Sequence, residues 1–264
     1  MKSVVIYTYF FSESSNYNLA FFVQKELQER PNIDYIIVIN GFTHDENVVF
    51  PNLSNLTILK RPNEGYDFGG HQYALNHLAE NNKKYDYYFF MNSGVIGPIL
   101  PKYWDNIPMH WSELFIKKIT NKVKLVGTTI VCLPTYDAGG FGPKVEGFFF
   151  MVDSVGLSVL EKEKTVFYNH ASKYDAIING EYGLTKCILK NGYSIDCMLA
   201  KYQGIDWQNP LYYSLNMNHH PSRKNSYFGR SIQPYEVIFH KWFWHNEEMV
   251  NIETIQDYVS EHFT

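Results

Sequence analysis

The chain lacks the features of disulfide-stabilised, zinc-stabilised and membrane-spanning proteins. Its three cysteines, Cys132, Cys187 and Cys197, show neither CxxC nor Cys/His spacing, which argues against a structural zinc site and a disulfide framework. No apolar run approaches the ~20 residues that a transmembrane helix needs. Polar residues close to the start also argue against a signal peptide. We therefore expect three buried thiols in a cytosolic protein.

A strong charge and the common phosphate-binding motifs are also missing. The net charge is -4, so a general electrostatic attraction to nucleic acid or to an anionic membrane is not expected. No GxGxxG follows the first predicted strand and no GxxxxGK is found, so neither a dinucleotide site nor a P-loop is indicated. What is present is apolar: 45% of the 264 residues are hydrophobic, which is ample for a packed core.

The order of the predicted elements indicates an α/β fold. Unbroken apolar strands separated by helices imply a Rossmann-like, mostly parallel central sheet with helices on both faces. Because there is no linker and no internal repeat, we expect one continuous domain. The strands are predicted at 3–11, 34–41, 55–60, 85–91, 124–132, 145–153 and 193–199, and the helices at 16–29, 69–80, 112–122, 154–164, 180–192 and 253–263.

Two polar loops follow the third and fourth predicted strands. The first, at 61–74, reads RPNEGYDFGGHQYA, and the second begins at Asn92 and Ser93. Open α/β sheets place their ligands at the carboxyl ends of strands, so both loops are expected to line one cleft. An alternative role for Asp67 is to cap the helix that follows it. The glycines would let the backbone approach a ligand and the polar side chains would supply hydrogen bonds; these residues are Arg61, Asn63, Gly65, Asp67, Gly69 and Gly70.

The motif order resembles that of a known enzyme fold. A strand, the loop NEGYDFGG, an aromatic strand, the loop MNSGVIGP and a glutamate-led helix resemble a glycosyltransferase of the GT-A fold. More narrowly, they resemble the rhamnan-synthesis F group and similar bacterial and large-virus enzymes. The resemblance implies hexosyl or deoxyhexosyl transfer from a UDP- or dTDP-sugar to a glycan hydroxyl in polysaccharide or glycoconjugate synthesis. It also implies a nucleotide-sugar-binding half at 1–130, in which Thr8 and Tyr9 cradle the base, and an acceptor-binding, catalytic half at 131–264.

One departure from the family concerns the metal. In GT-A enzymes the loop after the fourth strand usually carries an Asp-x-Asp motif that binds Mn²⁺ or Mg²⁺, and here it reads Asn92-Ser93-Gly94. Hard cations prefer carboxylate oxygens, so the missing acids argue against a divalent metal. Two alternatives stay open. Either the ion is held more weakly through Asn92, Asp67 and the diphosphate itself, or cations such as Arg61 and Lys241 and helix N-termini take its place. By the resemblance, the late His240 meets the metal or the diphosphate; the alternative is a hydrogen-bonded structural residue.

Two glutamates are candidates for the chemistry. Transfer with inversion requires a carboxylate base within hydrogen-bond reach of the acceptor oxygen. Glu181 opens a predicted helix and, by the resemblance, corresponds to that base; the alternative is a favourable charge at a helix N-terminus. Glu146 opens a predicted strand and either binds the donor sugar or lies in solvent. Two other functions are considered: a module that binds nucleotide sugars or carbohydrates without turnover, and a glycoside hydrolase that uses both glutamates.

The second half also contains aromatic and basic candidates. Trp207 and Trp242, with Phe243 and Trp244, either stack on acceptor sugar rings or fill the core. The segment 206–230 is predicted to be a long surface loop or lid. Its basic residues either close over the diphosphate or are solvated; they are His219, His220, Arg223, Lys224 and Arg230.

Overall fold

The computed structural model describes residues 1–137 and 139–242 and, beyond them, residues 255, 257, 259 and 260. Phe243, Trp244 and most of the predicted helix at 253–263 lie outside the described residues. Among the described residues, no helix is both long and apolar enough to cross a bilayer. The three cysteines are buried free thiols, as predicted.

The first half alternates strands and helices. Helix α1 begins after Ser12, whose side chain accepts the Ser15 N–H at 3.2 Å. The elements are β1 (Ser3–Phe10), α1 (Glu13–Glu26), β2 (Ile33–Asn40), β3 (Leu56–Arg61), α2 (Tyr66–Glu80), β4 (Tyr87–Asn92) and β5 (Val95–Ile96).

The rest of the chain, from Lys102 onwards, has shorter elements joined by longer loops. Its strands are β6 (Val123–Gly127), β7 (Ile130–Leu133), β8 (Gly142–Val145), β9 (Phe149–Asp153), β10 (Ser194–Cys197) and β11 (His240–Lys241). Its α-helices are α3 (Ser112–Ile116), α4 (Ser154–Glu163), α5 (Lys173–Asp175), α6 (Gly183–Lys190) and α7 (Pro234–Val237). A π-helical segment (Ala176–Tyr182) joins α5 to α6, and short 3₁₀ turns lie at Lys102–Asn106, Ala200–Tyr202 and Pro210–Tyr212.

The central sheet has seven strands in the order β10-β6-β9-β4-β1-β2-β3. All neighbouring pairs are parallel except those of β9, which runs antiparallel to both β4 and β6. The predicted mostly parallel α/β sheet is therefore confirmed. Two small antiparallel pairs, β11 with β5 and β7 with β8, lie outside this sheet.

Helices cover both faces of the sheet because its buried strands are apolar on both sides. In β1, Val4 and Ile6 belong to one buried cluster, which includes residues of α2, α4 and α6. Val5 and Tyr7 belong to the other cluster, which includes residues of α1 and α3. This alternation follows from the two-residue side-chain period of a strand.

Several boundaries predicted after β5 are wrong. The strand predicted at 124–132 is two strands, β6 and β7, which are separated by Thr128 and Thr129. The helix predicted at 112–122 ends at Ile116, and the Thr120 side chain accepts the backbone N–H groups of Lys122 and Val123. Such side-chain bonds satisfy backbone donors without a helix, so they compete with its continuation.

Both glutamates lie in a different local structure from the one predicted. Glu146 does not open β9; it follows β8 and is only 3% exposed, so it is not a solvent-facing strand end. Glu181 does not open a helix, because helical structure begins at Lys173 after the N-cap Ser172. Glu181 therefore lies inside the π-helical segment, and a charge effect at a helix N-terminus does not explain it.

Candidate active-site cleft

Two adjoining cavities open where the central strands end. The first has a volume of about 650 Å³ and the second of about 550 Å³. Tyr66 and Asp67 line both, so the two cavities meet at these residues, and we call them together the cleft. The first cavity is also lined by Phe10, Asn40, Asn63, Glu64, Gly65, Asn169, His170 and Ala171. The second is also lined by Ser14, Phe68, Asn92, Lys144, Glu146, Phe148, Lys173, Ala176, Ile177, Glu181, Tyr182, His220 and Lys241.

The loop before α2 is held against a segment from the second half of the chain. Gly65 adopts a left-handed conformation with φ of 67° and forms a β-bridge with His170. A Cβ atom at Gly65 would lie 2.1 Å from Oδ1 of Asn169, so this close approach requires glycine. The Arg61 guanidinium donates to the same Oδ1 at 2.8 Å and lies 5.5 Å from the ring centre of Tyr73. Arg61 thus supports the wall of the first cavity and is not among the residues that line it.

Asp67 and Asn92 join the two predicted loops directly. The Asn92 amide donates to the Asp67 carboxylate at 2.6 Å, and its Oδ1 accepts the Gly94 N–H at 2.9 Å. Burial raises the pKa of Asp67, and the Asn92 hydrogen bond opposes that rise. The alternative that Asp67 caps α2 is wrong, because the N-cap is Gly65 and no side chain caps this helix.

Gly69 and Gly70 lie inside α2 and serve its packing. A Cβ atom at Gly70 would lie 2.4 Å from a methyl carbon of Thr8 in β1, so glycine lets the helix approach the strand. Thr8 is itself buried, with Oγ1 2.9 Å from Nδ1 of His71. Tyr9 is also buried, and its hydroxyl donates to Asn16. Neither Thr8 nor Tyr9 lines the cleft, in contrast to the neighbouring Phe10.

Ser93 and the two predicted acceptor tryptophans are structural residues. The backbone N–H of Ser93 donates to the Thr8 carbonyl at 3.0 Å, and its own carbonyl accepts the Asn18 amide at 2.9 Å. Trp207 is fully buried, and Trp242 is 3% exposed with its indole N–H bonded to Asn18. Buried indoles cannot stack on a sugar, so the predicted acceptor role of both residues is corrected to core packing.

The predicted metal ligands do not fit a divalent cation. Both polar atoms of the Asn92 side chain already take part in hydrogen bonds within the protein. His240 is 1% exposed, its Nδ1 bonds the Lys241 carbonyl, and only its Nε2 has no hydrogen-bond partner among the described residues, so it could offer an ion one ligand at most. No three His, Cys, Asp or Glu residues of the described ranges are grouped so that they could hold an ion. This donor set therefore does not match the carboxylate-rich shell that Mg²⁺ or Mn²⁺ prefers.

Glu181 lies in the second cavity as one half of an ion pair. Its Oε2 is 2.9 Å from Nζ of Lys144, and the Glu181 side chain is 33% exposed whereas that of Lys144 is 5% exposed. The Lys144 ammonium also lies 4.9 Å from the ring centre of Tyr182. Burial lowers the pKa of Lys144, but the carboxylates of Glu181 and Glu146 outweigh that effect and raise it. Lys144 is thus a cation that two acids hold in place.

Glu146 forms a buried polar cluster with three donors. Its Oε1 accepts from Nδ1 of His220 at 2.7 Å, and its Oε2 accepts from Thr129 at 2.7 Å and from Ser222 at 3.3 Å. Burial alone would raise the pKa of Glu146, but the bond from His220, the positive charges of protonated His220 and of Lys144, and the Thr129 bond lower it to about 2. The alternative that His220 is part of a solvated basic loop is therefore wrong for this residue.

The sequence analysis missed several residues of the cleft. Phe10 and Asn40 end β1 and β2, so the rule about carboxyl ends of strands would have found them. Asn40 is 2% exposed, and its Oδ1 has no hydrogen-bond partner among the described residues. Lys144 and Asn169 come from the second half, where no motif marks them. Asn169, from the second predicted half, lines the first cavity together with residues of the first half.

Comparisons with known proteins show similarity in backbone structure only. No protein-family model matches the chain, and no curated protein matches it. Among solved structures it is similar to the mannosyltransferase PcManGT from Pyrobaculum calidifontis, in complex with GDP-Man and Mn²⁺, with 11% identity and a TM-score of 0.42 over 74% of this chain and 54% of that one. It is also similar to TarS from S. aureus, with 15% identity and a TM-score of 0.41 over 74% of this chain and 35% of that one. The chain thus spans about half of the first neighbour and about a third of the second.

Proposed function

We propose that this protein is a glycosyltransferase that moves a sugar from a nucleotide-diphosphate donor to a hydroxyl of a glycan acceptor. One observation carries the proposal: the lysines that line the joined cavities all lie in the second one. Amides and rings make up most of the lining of the first cavity, which contains two acids, Glu64 and Asp67, and no lysine or arginine. The second contains Lys144, Lys173 and Lys241 together with three acids, Asp67, Glu146 and Glu181. A nucleoside carries no negative charge and suits the first cavity, whereas a diphosphate requires the lysines of the second.

The first cavity suits a pyrimidine nucleoside. Phe10 is 49% exposed and offers a ring face on which a base can stack. The unpaired Oδ1 of Asn40 is a buried acceptor, and the ring N–H of uracil or thymine is a matching donor. Asn63 and Asn169 supply further amide groups for the ribose. These features support a UDP- or dTDP-linked donor, and the deoxyhexose is only what the rhamnan-synthesis resemblance implies.

The diphosphate is proposed to lie where the cavities meet, near Tyr66 and Asp67. From there it faces the second cavity, in which Lys173 and Lys241 provide positive charge without a metal ion. Lys144 is less suited to this role because Glu181 already holds its ammonium. Charge on the leaving diphosphate is thus stabilised by lysine side chains of this chain. The sugar then extends towards Glu181 and His220, which are two of the groups of the second cavity that can accept a proton.

A binding module without turnover is the second candidate. It is favoured by the fact that Glu146 and Glu181, the two predicted catalytic acids, are both engaged by donors of the protein itself. A glycoside hydrolase is less favoured for the same reason, since it would need two available carboxyl groups. Binding of a nucleotide sugar without transfer to any acceptor would support the module over the enzyme.

The test is release of nucleoside diphosphate from a panel of UDP-, dTDP- and GDP-sugars in the presence of oligosaccharide acceptors. We expect one donor class to be turned over, and Lys241→Gln to weaken donor binding at least tenfold by removing a cation near the diphosphate. The matched control is Lys84→Gln, because Lys84 lines a separate cavity beside Lys2 and Asp34. Absence of both binding and turnover with every donor would contradict the proposal.

A further inference from the structure

A chain of hydrogen bonds holds a carboxylate at the wall of the first cavity. The Arg61 guanidinium donates to Oδ1 of Asn169 at 2.8 Å, and Nδ2 of Asn169 donates to Oε2 of Glu64 at 3.2 Å. A guanidinium can only donate, so the oxygen of the Asn169 amide must face Arg61 and its NH₂ group must face Glu64. Because Glu64 lines the cavity, this chain of bonds fixes an acidic acceptor there.

Glu64 can accept more hydrogen bonds than the protein gives it. A carboxylate has two oxygens and is an acceptor only when it is ionised. Asn169 occupies Oε2, and no donor among the described residues bonds Oε1. Asp67, the other acid of the first cavity, differs because the Asn92 amide already bonds it at 2.6 Å. Glu64 is therefore the acid of this cavity that is better placed to accept a hydrogen bond from a ligand.

The negative charge of Glu64 acts on its surroundings. Burial lowers the pKa of Arg61, and the carboxylate of Glu64 opposes that change. No lysine or arginine lines the first cavity, so a phosphate placed beside Glu64 would meet a like charge without a cation. The part of the donor that lies beside Glu64 must instead be uncharged and must supply hydrogen-bond donors.

The ribose is the part of a nucleotide that meets both conditions. The ring N–H of the pyrimidine is matched to Asn40, and the diphosphate is placed near Tyr66 and Asp67. The ribose hydroxyls are then the remaining donors of the nucleoside. Glu64 belongs to the same loop as Tyr66, so it can meet the sugar that connects the base to the diphosphate. Carboxylates accept hydrogen bonds from ribose hydroxyls in unrelated nucleotide sites.

We infer that Glu64 accepts hydrogen bonds from the ribose hydroxyls of the donor and thereby selects a UDP-sugar over a dTDP-sugar. This inference rests on the proposed function and narrows its two donor classes to one. A deoxyribonucleotide lacks the 2′-hydroxyl, so it would lose a bond to a charged acceptor. Glu64 is exposed, so water replaces part of that bond, and we expect a loss of affinity of about tenfold.

The test compares UDP with 2′-deoxy-UDP, two probes that differ only in the 2′-hydroxyl. Their Kd values for the full chain are measured by calorimetry, in EDTA and again in Mn²⁺, so that a metal requirement does not hide binding. We expect UDP to bind about tenfold more tightly than 2′-deoxy-UDP. Equal affinities, or tighter binding of 2′-deoxy-UDP, would overturn the inference.

Glu64→Gln separates recognition of the hydroxyl from support of the cavity wall. The amide keeps the size of the side chain but is a weaker acceptor than a carboxylate, so the preference for UDP should fall below about threefold. Glu80→Gln is the matched control, because Glu80 is an exposed glutamate that lines neither cavity, and it should keep the full preference. If Glu64→Gln weakens binding of both probes by the same factor, Glu64 only supports the wall and the inference is wrong.

The failures of the inference and of the proposed function are distinguishable. If the protein binds and turns over dTDP-sugars as well as UDP-sugars, the proposed function stands and the inference fails. If it binds no nucleotide sugar, both fail. Should Glu64→Gln not fold, the wild-type preference and the same comparison in Glu64→Ala decide the inference.

Discussion

Introducing an acid at position 92 tests the conclusion that the residues of this cleft do not fit a divalent metal ion. In Asn92→Asp the side chain keeps its shape, but the 2.6 Å hydrogen bond from the Asn92 amide to Asp67 becomes a contact between two carboxyl groups. The bond from the Gly94 N–H to Oδ1 can persist, so the change is confined to the contact with Asp67. We expect the free protein to be less stable than wild type at pH 7.

The size of the loss follows from two terms. A hydrogen bond to a charged group contributes about 1.5 to 3 kcal/mol. Two like charges about 4 Å apart repel by about 4 kcal/mol at an effective dielectric constant of about 20, although sharing one proton relieves part of this. We take a net loss of about 2 to 4 kcal/mol, which for a chain of this size lowers Tm by about 4 to 16 °C.

The pH and metal dependence identify the cause. Repulsion raises the pKa of the pair in the folded state, so the folded protein binds more protons than the unfolded chain and gains stability as pH falls through that raised pKa. The Tm deficit of Asn92→Asp should therefore shrink towards pH 4 to 5, and Mn²⁺ should restore stability at pH 7 because two carboxylates now face one ion.

The assay is thermal unfolding of wild type, Asn92→Asp and Asn92→Ala in EDTA and in Mn²⁺. Asn92→Ala is the control, since it removes the hydrogen bond without adding charge. It should show a smaller deficit and no response to Mn²⁺. The reasoning is refuted if Asn92→Asp equals wild type in EDTA at pH 7, or if wild type gains as much from Mn²⁺ as Asn92→Asp does.

Three further predictions concern packing, acid stability and an unpaired acceptor. Gly70→Ala should lower the free energy of unfolding, measured by urea titration, by about 1 to 3 kcal/mol, because the added methyl would lie 2.4 Å from Thr8. In the control Gly183→Ala the nearest neighbouring atom would be 3.6 Å from the added methyl. This control should be neutral or stabilising. The ionised Glu146 contributes stability that is complete above its ordinary pKa of 4.5 and is lost as pH falls towards about 2. The stability of Glu146→Gln should lack this loss in acid unfolding. An acid-unfolding profile identical to that of wild type would contradict the prediction. Asn40→Leu removes a buried unpaired acceptor and should therefore raise Tm. It should also weaken nucleotide binding, measured by calorimetry, at least fivefold. Unchanged binding would show that Asn40 does not contact the nucleotide.

The first half of the fold could be predicted because its signals are local. Strands buried on both faces appear in the sequence as unbroken apolar runs, and helices separate them. The polar residues that end or follow those runs line the cleft; they are Asn63, Asp67 and Asn92. The same rule applied to the first two strands would have added Phe10 and Asn40, which are the side chains that best define the first cavity.

The second half could not be predicted in the same way because its contacts are distant in sequence. Glu146 and His220 are separated by 74 residues, and Arg61 and Asn169 by 108 residues. A single sequence contains no local signal for such pairs. Glu146 consequently looked like a residue at the start of a strand, whereas burial beside Thr129 and His220 makes it an ionised acceptor.

The most direct measurement of the central claim is thermal stability of the full chain against a panel of nucleotide sugars, each with Mn²⁺, with Mg²⁺ or with EDTA. A ligand that binds only the folded state raises Tm by mass action. We predict a rise with a UDP- or dTDP-sugar that survives EDTA, because we propose that lysines, and no metal, face the diphosphate. No rise with any nucleotide sugar would contradict the glycosyltransferase proposal, and a rise that EDTA abolishes would contradict the metal-independent site.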